Sequence, residues 1–486
     1  MFKRLLKVAN PLGLIMMAFS CAFLAPAGWA LASGEATVWA FVSGLFASFL
    51  VGLLLWLGTR RFAGNLHARD GFLLACLVWV ILALVACIPL LLAIPGLSFT
   101  NAYFEAVAGL TATNATTLSG LDQLPASVNL WRCELQWIGG LAGLGVAVAM
   151  LPLLGIGGAQ TYRNEAVGPI RDSRVTRRFA QTAGRLWAIY AGLTVLCFFL
   201  LRMVGMGWFD ALCQALSTLS LGGFSPHGAS VGYFHSPAVE TIVEVFMVLA
   251  AVNFATHLAV LRDHRPRHYF DDPETRAMLL VLLLSVLGVA AYIRIQGVYP
   301  SFVDALRESA FNVISMATGA GFTNSDYGQW PMVAGLWMLM LGCLTATAGS
   351  AGGGLKMIRT LIFFKQSGRE IRRLVHPNAV TVLKVGVRVV PEPVVSSVLG
   401  YVHLYTLSAV ILTFVLMLSG LDFVTSFSAI ISTLNNVGPG LHLVGPVDGY
   451  VGLSDFQTWI CALSMLLGRL GIVVLILPFT RTYWRE

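Results

Sequence analysis

The chain has 486 residues, 57% of them hydrophobic and only 11% charged, against roughly 25% charge in a soluble domain. Its mean hydropathy of +0.78 is spread over the whole length, which excludes a water-soluble enzyme and a single anchor on a soluble body. The formal net charge of +8 sits in short loops between apolar runs, as in a polytopic membrane protein, and argues against a nucleic-acid partner.

Met1 to Lys7 is basic and an apolar stretch runs from 11 to 32, ending in a signal-like Ala30-Leu31-Ala32. A second apolar run starts within a few residues, so the pair is read as a retained helical hairpin. Ten spans are predicted, at 11–32, 37–58, 71–95, 134–155, 184–204, 240–262, 276–296, 332–363, 395–420 and 456–479. Basic residues fill every second connection: Lys3, Arg4 and Lys7; Arg60, Arg61 and Arg69; Arg163, Arg171, Arg174, Arg177 and Arg178; Arg262, Arg265 and Arg267; Lys365 to Arg388; Arg481 and Arg485. This alternation predicts that both termini are cytoplasmic. Arg132 and Arg307 are the exceptions on the outer side.

The outer connections after the third, fifth, seventh and ninth spans each hold a segment too short to cross a bilayer. The segments are Asn101–Thr113, Asp210–Gly222, Glu308–Ala320 and Thr425–Val437, with Asn101, Asp210, Asp304 and Thr425 as candidate N-caps. Each then breaks into small residues and turn formers. Aligning Asn114, Gly223, Gly321 and Gly438 gives separations of 109, 98 and 117 residues, so the unit of span, half-helix, turn and span occurs four times. The implied division is a leading hairpin over 1–65 and repeats over 66–157, 158–265, 266–375 and 376–486.

Irregular backbone at membrane depth survives only inside protein or along a watery cavity. Four such turns meeting on an axis can replace a cation's hydration shell with carbonyl oxygens, and the C-terminal ends of the half-helices add partial negative charge. The candidate ion-binding residues are therefore Thr111, Ala112, Thr113 and Asn114; Ser220, Leu221, Gly222 and Gly223; Thr318, Gly319, Ala320 and Gly321; and Asn435, Asn436, Val437 and Gly438. Asn114 stands where the other copies have Gly, and is expected to keep the geometry because Asn tolerates positive φ.

The eighth span cannot be one continuous helix, because Thr345 to Gly354 is all small residues with Gly at 349, 352, 353 and 354. A loop that can move is expected there, with Thr345, Gly349, Gly352, Gly353, Gly354, Lys356 and Arg469 as gate residues. Lys356 is expected to snorkel to the cytoplasmic face. Arg469, in the middle of the last span, is expected to face the pore or to pair with a buried acid or carbonyl. Glu105, Asp122, Asp210, Asp304, Asp326, Asp422 and Asp448 are placed on the outer side, where they raise the local cation concentration. The eight cysteines show no pairing pattern, the nine histidines no metal-ligand spacing, and no P-loop is present.

The segments Trp137-Ile-Gly-Gly-Leu-Ala-Gly-Leu-Gly, Leu221-Gly-Gly-Phe-Ser, Thr345 to Lys356, Leu434-Asn-Asn-Val-Gly-Pro-Gly and Leu467-Gly-Arg-Leu closely resemble the Trk/Ktr/HKT superfamily, and within it the bacterial TrkH/TrkG branch. The resemblance implies an all-α polytopic membrane protein with two leading transmembrane helices and four helix–pore-loop–helix repeats around a pseudo-fourfold pore. It implies a potassium-translocating subunit of the bacterial inner membrane, a homodimer in lipid, without bound cofactor. It also implies gating by a separate cytoplasmic ring of the TrkA type that binds nucleotides; the basic loops at 163–178 and 365–388 are the natural docking surface for such a regulator, or serve to set topology alone. Asn114 in place of Gly, and Gly471 in place of a Glu, depart from the family pattern. The alternatives are a weakly selective K+/Na+ pathway and a secondary carrier for an organic solute, which would place more ionisable groups at the midplane.

Overall fold

Backbone N–H and C=O groups find no water inside a bilayer, so apolar runs of this length must become helix. The computed structural model describes residues 2–62, 64, 66–150, 173–379 and 381–484, and helices dominate it. Arg163, Arg171 and Arg485, and the end of the fourth span, lie outside the described residues. Helices α1 (Phe2–Phe19) and α2 (Leu24–Ser33) form one rod joined by a 3-10 turn, and Gly34 at φ 70° reverses the chain into α3 (Val38–Thr59). The two arms touch closely: a Cβ on Gly13 would lie 2.6 Å from the Gly52 carbonyl oxygen. Phe19, Phe23 and Phe41 surround Trp131, with ring centroids 6.1, 4.5 and 6.1 Å away, which fastens this hairpin to the first repeat.

Four units follow. The first has α4 (Ala68–Ala93), half-helix α5 (Phe99–Thr111) and α6 (Ala126–Met150). The second has α7 (Ser173–Met203), half-helix α8 (Trp208–Ser220), α9 (Pro237–Ala251) and α10 (Phe254–Asp263). After the short α11 (His268–Asp271), the third has α12 (Pro273–Ile295), half-helix α13 (Phe302–Thr318), α14 (Met332–Leu344) and α15 (Met357–Val375). A two-stranded antiparallel hairpin, β1 (Lys384–Val385) with β2 (Arg388–Val389), precedes the fourth, with Lys384 paired to Val389. That unit has α16 (Glu392–Leu418), half-helix α17 (Phe423–Leu434), α18 (Asp455–Leu470), α19 (Ile472–Ile476) and α20 (Arg481–Trp484). Both termini share one face, where Arg4 donates to the Tyr483 carbonyl at 3.0 Å.

Three expectations are corrected. The sixth and tenth spans are not continuous. The sixth bends by 95° between α9 and α10, and the tenth by 112° after α18. Val252 is extended and Asn253 caps Ala255 in the first, while Gly471 at φ 83° makes the second. The half-helix caps lie three residues before Asn101, Asp210, Asp304 and Thr425, at Ser98, Gly207, Ser301 and Asp422. A cap must accept from an N–H two or three residues ahead, and the first and last do so from Asn101 and Thr425 themselves.

Arg132 is also not an outer-loop charge. It lies in α6, 1% exposed, with its Nε 2.7 Å from Glu105 Oε1 of the first half-helix, and its guanidinium covers the Phe224 ring at 4.2 Å. Thr116 donates to the same carboxylate at 3.0 Å. Removing one partner strands a buried charge, which costs about 3–5 kcal/mol. Glu105→Ala is therefore expected to lower the thermal stability of the purified protein sharply in detergent melts. A melt matching wild type would show that the pair is solvated.

Candidate functional site

The four half-helices end alike. In each, an N–H five residues on closes onto a carbonyl of the last turn: Thr113 onto Ala108 at 2.8 Å, and Gly222 onto Ser217, Ala320 onto Ser315 and Val437 onto Ser432, each at 2.9 Å. This is the Schellman closure, which needs a left-handed residue just before it. Ala112, Leu221, Gly319 and Asn436 supply it, at φ 52°, 53°, 88° and 57°. Two residues later Gly223, Gly321 and Gly438 are again left-handed, at φ 80°, 74° and 108°.

These turns meet at one centre. A Cβ on Gly223 would lie 1.9 Å from the Ala320 carbonyl oxygen, one on Gly321 2.2 Å from that of Val437, and one on Gly438 2.2 Å from that of Asn114. Neighbouring strands thus touch around a ring, second on third, third on fourth and fourth on first. Asn114 departs from its expected role, because it does not take positive φ. Its N–H bonds to the Val437 carbonyl at 3.3 Å, and its side-chain Nδ2 donates to the Gly321 carbonyl oxygen at 2.6 Å. The amide therefore joins the first strand to the third, its non-neighbour in the ring. Of the sixteen candidate residues, fifteen are buried and Asn114 is half-buried.

Side chains behind the strands fix them, and sequence reasoning missed most of these. Gln136, fully buried in α6, donates to the Gly222 carbonyl at 2.7 Å and to that of Thr113 at 3.4 Å, and accepts from the Phe224 N–H at 2.9 Å. Tyr450 donates to the Gly438 carbonyl at 2.7 Å. Asn436 donates to Thr113 Oγ1 and to the Met465 carbonyl, both at 3.0 Å. Asn435 accepts from the Tyr405 hydroxyl at 2.9 Å. The hydroxyls of Thr111 and Thr318 turn back on their own helices, at 2.7 and 2.8 Å, as does that of Ser220, at 3.0 Å. The available signal for Gln136 was its place with Arg132 and Glu134 in a polar cluster at the start of an apolar run; Tyr450 offered none.

The loop between α14 and α15 lies against the inner ends of these strands. A Cβ on Gly352 would be 2.8 Å from the Thr318 carbonyl oxygen and one on Gly353 2.3 Å from that of Asn435, so only glycine fits there. Gly354 is left-handed at φ 81° and Thr345 bonds back to Leu341 within its helix. Lys356 does not snorkel. It is itself left-handed, at φ 72°, and its ammonium turns back to the Gly352 carbonyl. Arg469 reaches two carbonyls at 2.7 Å each, Ala351 of the loop and Gly139 of α6. It therefore braces the loop against the first repeat, the carbonyl pairing that the sequence left open.

On the side away from both termini, a cavity of about 200 Å³ opens over the ring, lined by Asn114, Gly223, Thr323, Pro439, His227 and Asp448. His227 is 15% exposed, with Nδ1 2.7 Å from Asp122 and Nε2 3.1 Å from Asp210, and its ring stacks on Tyr233 at 3.6 Å. Both ring nitrogens face carboxylates, so both must carry protons. Burial alone would lower this imidazole's pKa, but the two carboxylates outweigh it and hold it above the usual histidine range. Among the outer acids, Glu105 and Asp422 are thus engaged internally, and Asp122 and Asp210 by His227. No group of three or more metal-ligating side chains occurs among the described residues.

One chain that supplies four re-entrant half-helices, all ending on a common ring with a cavity above and a small-residue loop below, defines a polytopic transport protein. Residues 38–485 match the family described as "TrkH: Cation transport protein", and the chain belongs to that family. It is 40% identical to the Trk system potassium uptake protein TrkH of Salmonella typhimurium, over 99% of both chains. It is 35% identical to the Trk system potassium uptake protein TrkG of Escherichia coli K12, over 99% of this chain and 98% of that one. The crystal structure of the potassium transporter TrkH from Vibrio parahaemolyticus superposes with a TM-score of 0.91 at 38% identity, covering 99% of this chain and 100% of the other.

The His227 tie has a definite pH sign. A raised histidine pKa gives stability that is complete below the unfolded value of about 6.5 and lost as the pH rises through the folded one. We expect the melting temperature to fall from about pH 6 towards pH 9 more steeply in the wild type than in His227→Gln. Equal slopes would show that the imidazole is not held between the two carboxylates.

Proposed function

We propose that this chain is the potassium-uptake subunit of a Trk-type system, passing K+ down its gradient through the ring of Asn114, Gly223, Gly321 and Gly438. The observation that carries the reading is the convergence of four Schellman-closed helix ends on one centre, which puts backbone carbonyls and helix C-termini where a dehydrated cation would sit. The relatives named for potassium uptake match over nearly the whole chain. The four units after residue 65 are its repeats, and the loop from Thr345 to Lys356 is its gate, braced by Arg469. No step of this reading uses enzymatic chemistry or a bound cofactor.

The positive-inside bias puts the termini, α15 and the hairpin on the cytoplasmic side of the bacterial inner membrane. There Arg372, Arg373, Leu374 and Val387 are exposed, a mixed basic and apolar surface suited to a nucleotide-binding ring of the TrkA type. The lipid-facing helices leave a flank on which a second copy can dimerise. A weakly selective K+/Na+ pathway is the second reading, favoured by the Asn114 amide bonded to a ring carbonyl, because a donor there competes with the ion for that oxygen.

Cells lacking potassium uptake are the direct test. Expression should restore growth at low K+, with Rb+ and K+ flux exceeding Na+ flux; equal fluxes would select the second reading. Gly321→Ser should abolish the rescue while the protein still reaches the membrane, because its Cβ has neither the space nor the φ. Continued rescue would count against the ring as the ion path. Asn114→Gly removes the cross-ring hydrogen bond, worth about 1 kcal/mol, and is expected to raise Rb+ flux about fivefold. Unchanged flux would mean that the amide does not compete with the ion.

A further inference from the structure

The loop from Thr345 to Lys356 is tied on one side by the break in the sixth span. Thr347 donates its N–H and its hydroxyl to the Ala251 carbonyl, at 3.3 and 2.8 Å, and the Ala351 N–H reaches Ala250 at 3.4 Å. The Phe254 N–H returns a bond to Gly349 at 3.1 Å. Each break thus supplies partners for groups the other has freed, and these bonds are main chain or nearly so, which no single side chain controls.

The other side is different. Glu274, in the first turn of α12, is 9% exposed, and its Oε2 accepts the Ala348 N–H at 2.8 Å. One side chain thus holds the loop at Ala348, directly before the first of its glycines. Asp272, the cap of α12, bonds back to His268 at 3.2 Å, so the turn between α11 and α12 carries Glu274 with it. That turn belongs to the basic connection between the sixth and seventh spans.

We propose that Glu274 is a positioning residue of the gate: its carboxylate latches the loop at Ala348 under the ring, and displacement of the α11–α12 turn releases it. This rests on the reading of the loop as a gate. A latch and a purely structural contact differ in sign, since loss of a structural contact lowers flux whereas loss of a latch raises it. They differ also in geometry, because Asp keeps the charge but falls one methylene short, while Gln keeps the reach and an acceptor oxygen.

The test is Rb+ influx into proteoliposomes holding the full chain alone, for wild type, Glu274→Ala, Glu274→Asp, Glu274→Gln and a control lacking Gly353 and Gly354. We expect about a fivefold rise for Ala and Asp, the shift in a two-state equilibrium from losing one net hydrogen bond, with closure largely restored in Gln. Hydrogen exchange should quicken at residues 345–356 in Glu274→Asp and Glu274→Ala but not in Gln, which reads the latch even where a variant conducts poorly. A shortened loop that raises flux, beside Ala and Asp variants with wild-type flux and exchange, overturns the latch and leaves the gate standing. A shortened loop that does not raise flux overturns both. Gln as leaky as Ala would overturn the hydrogen bond as the cause.

Discussion

A peptide group that leaves a helix inside an apolar medium must find another partner at once, and the Schellman closure at the end of each half-helix is how this chain meets that demand. The closing bond uses up a carbonyl of the last turn and forces a left-handed residue before it. From that follow the positive φ of Ala112, Leu221, Gly319 and Asn436 and the strands that run on from them. A strand in that position has no neighbour along its own helix. Only other strands in the same situation, or side chains reaching in from behind, can flank it, so four copies settle onto one another while Gln136 and Tyr450 take the carbonyls that face outward. The ring is a consequence of hydrogen-bond accounting.

The fourfold pattern is approximate, and its departures are local. Second, third and fourth strands keep Gly where strands touch, because nothing larger fits. The first has room for Asn114, which faces the cavity above, and its amide finds an acceptor across the ring instead of adopting the left-handed backbone of its counterparts. The closing spans of the second, third and fourth units are each broken into two helices, and the third has the longest break, the loop from Thr345 to Lys356. That loop's composition answers to Thr318 and Asn435, whose carbonyls come too close for a Cβ at Gly352 and Gly353.

Much of this was legible in the sequence. The placement of the long apolar helices follows from hydropathy, and the repeat was read from four short apolar segments that each dissolve into small residues. The break in the eighth span was visible because four glycines lie within six positions. The bend at Val252 and Asn253 was not, since neither residue is a helix breaker by composition, and the bend depends on partners in the eighth span, about a hundred positions away. Gly471 was singled out for a missing acid rather than for its backbone. The caps were placed one turn late because polar residues cluster there, whereas the cap is decided by which oxygen can reach forward. Lys356 was assigned to the surface on the general behaviour of lysine. Its left-handed φ, which turns the ammonium inward, is set by the loop and cannot be read from a single residue.

The cationic side chains inside the membrane obey the same accounting. An isolated guanidinium or ammonium there costs at least about 2.5 kcal/mol, so each must sit where the fold leaves acceptors. Arg469 takes the Ala351 carbonyl, freed by the loop, and Lys356 that of Gly352. Arg132 has the Glu105 carboxylate, and also reaches the Ser225 carbonyl, freed by the turn after the second half-helix, at 3.4 Å. The cations therefore mark the breaks, and the breaks are where the backbone is irregular. Irregular backbone under the ring and positive charge under the ring come from a single cause, the loss of regular helix in the spans that pack beneath four converging strands.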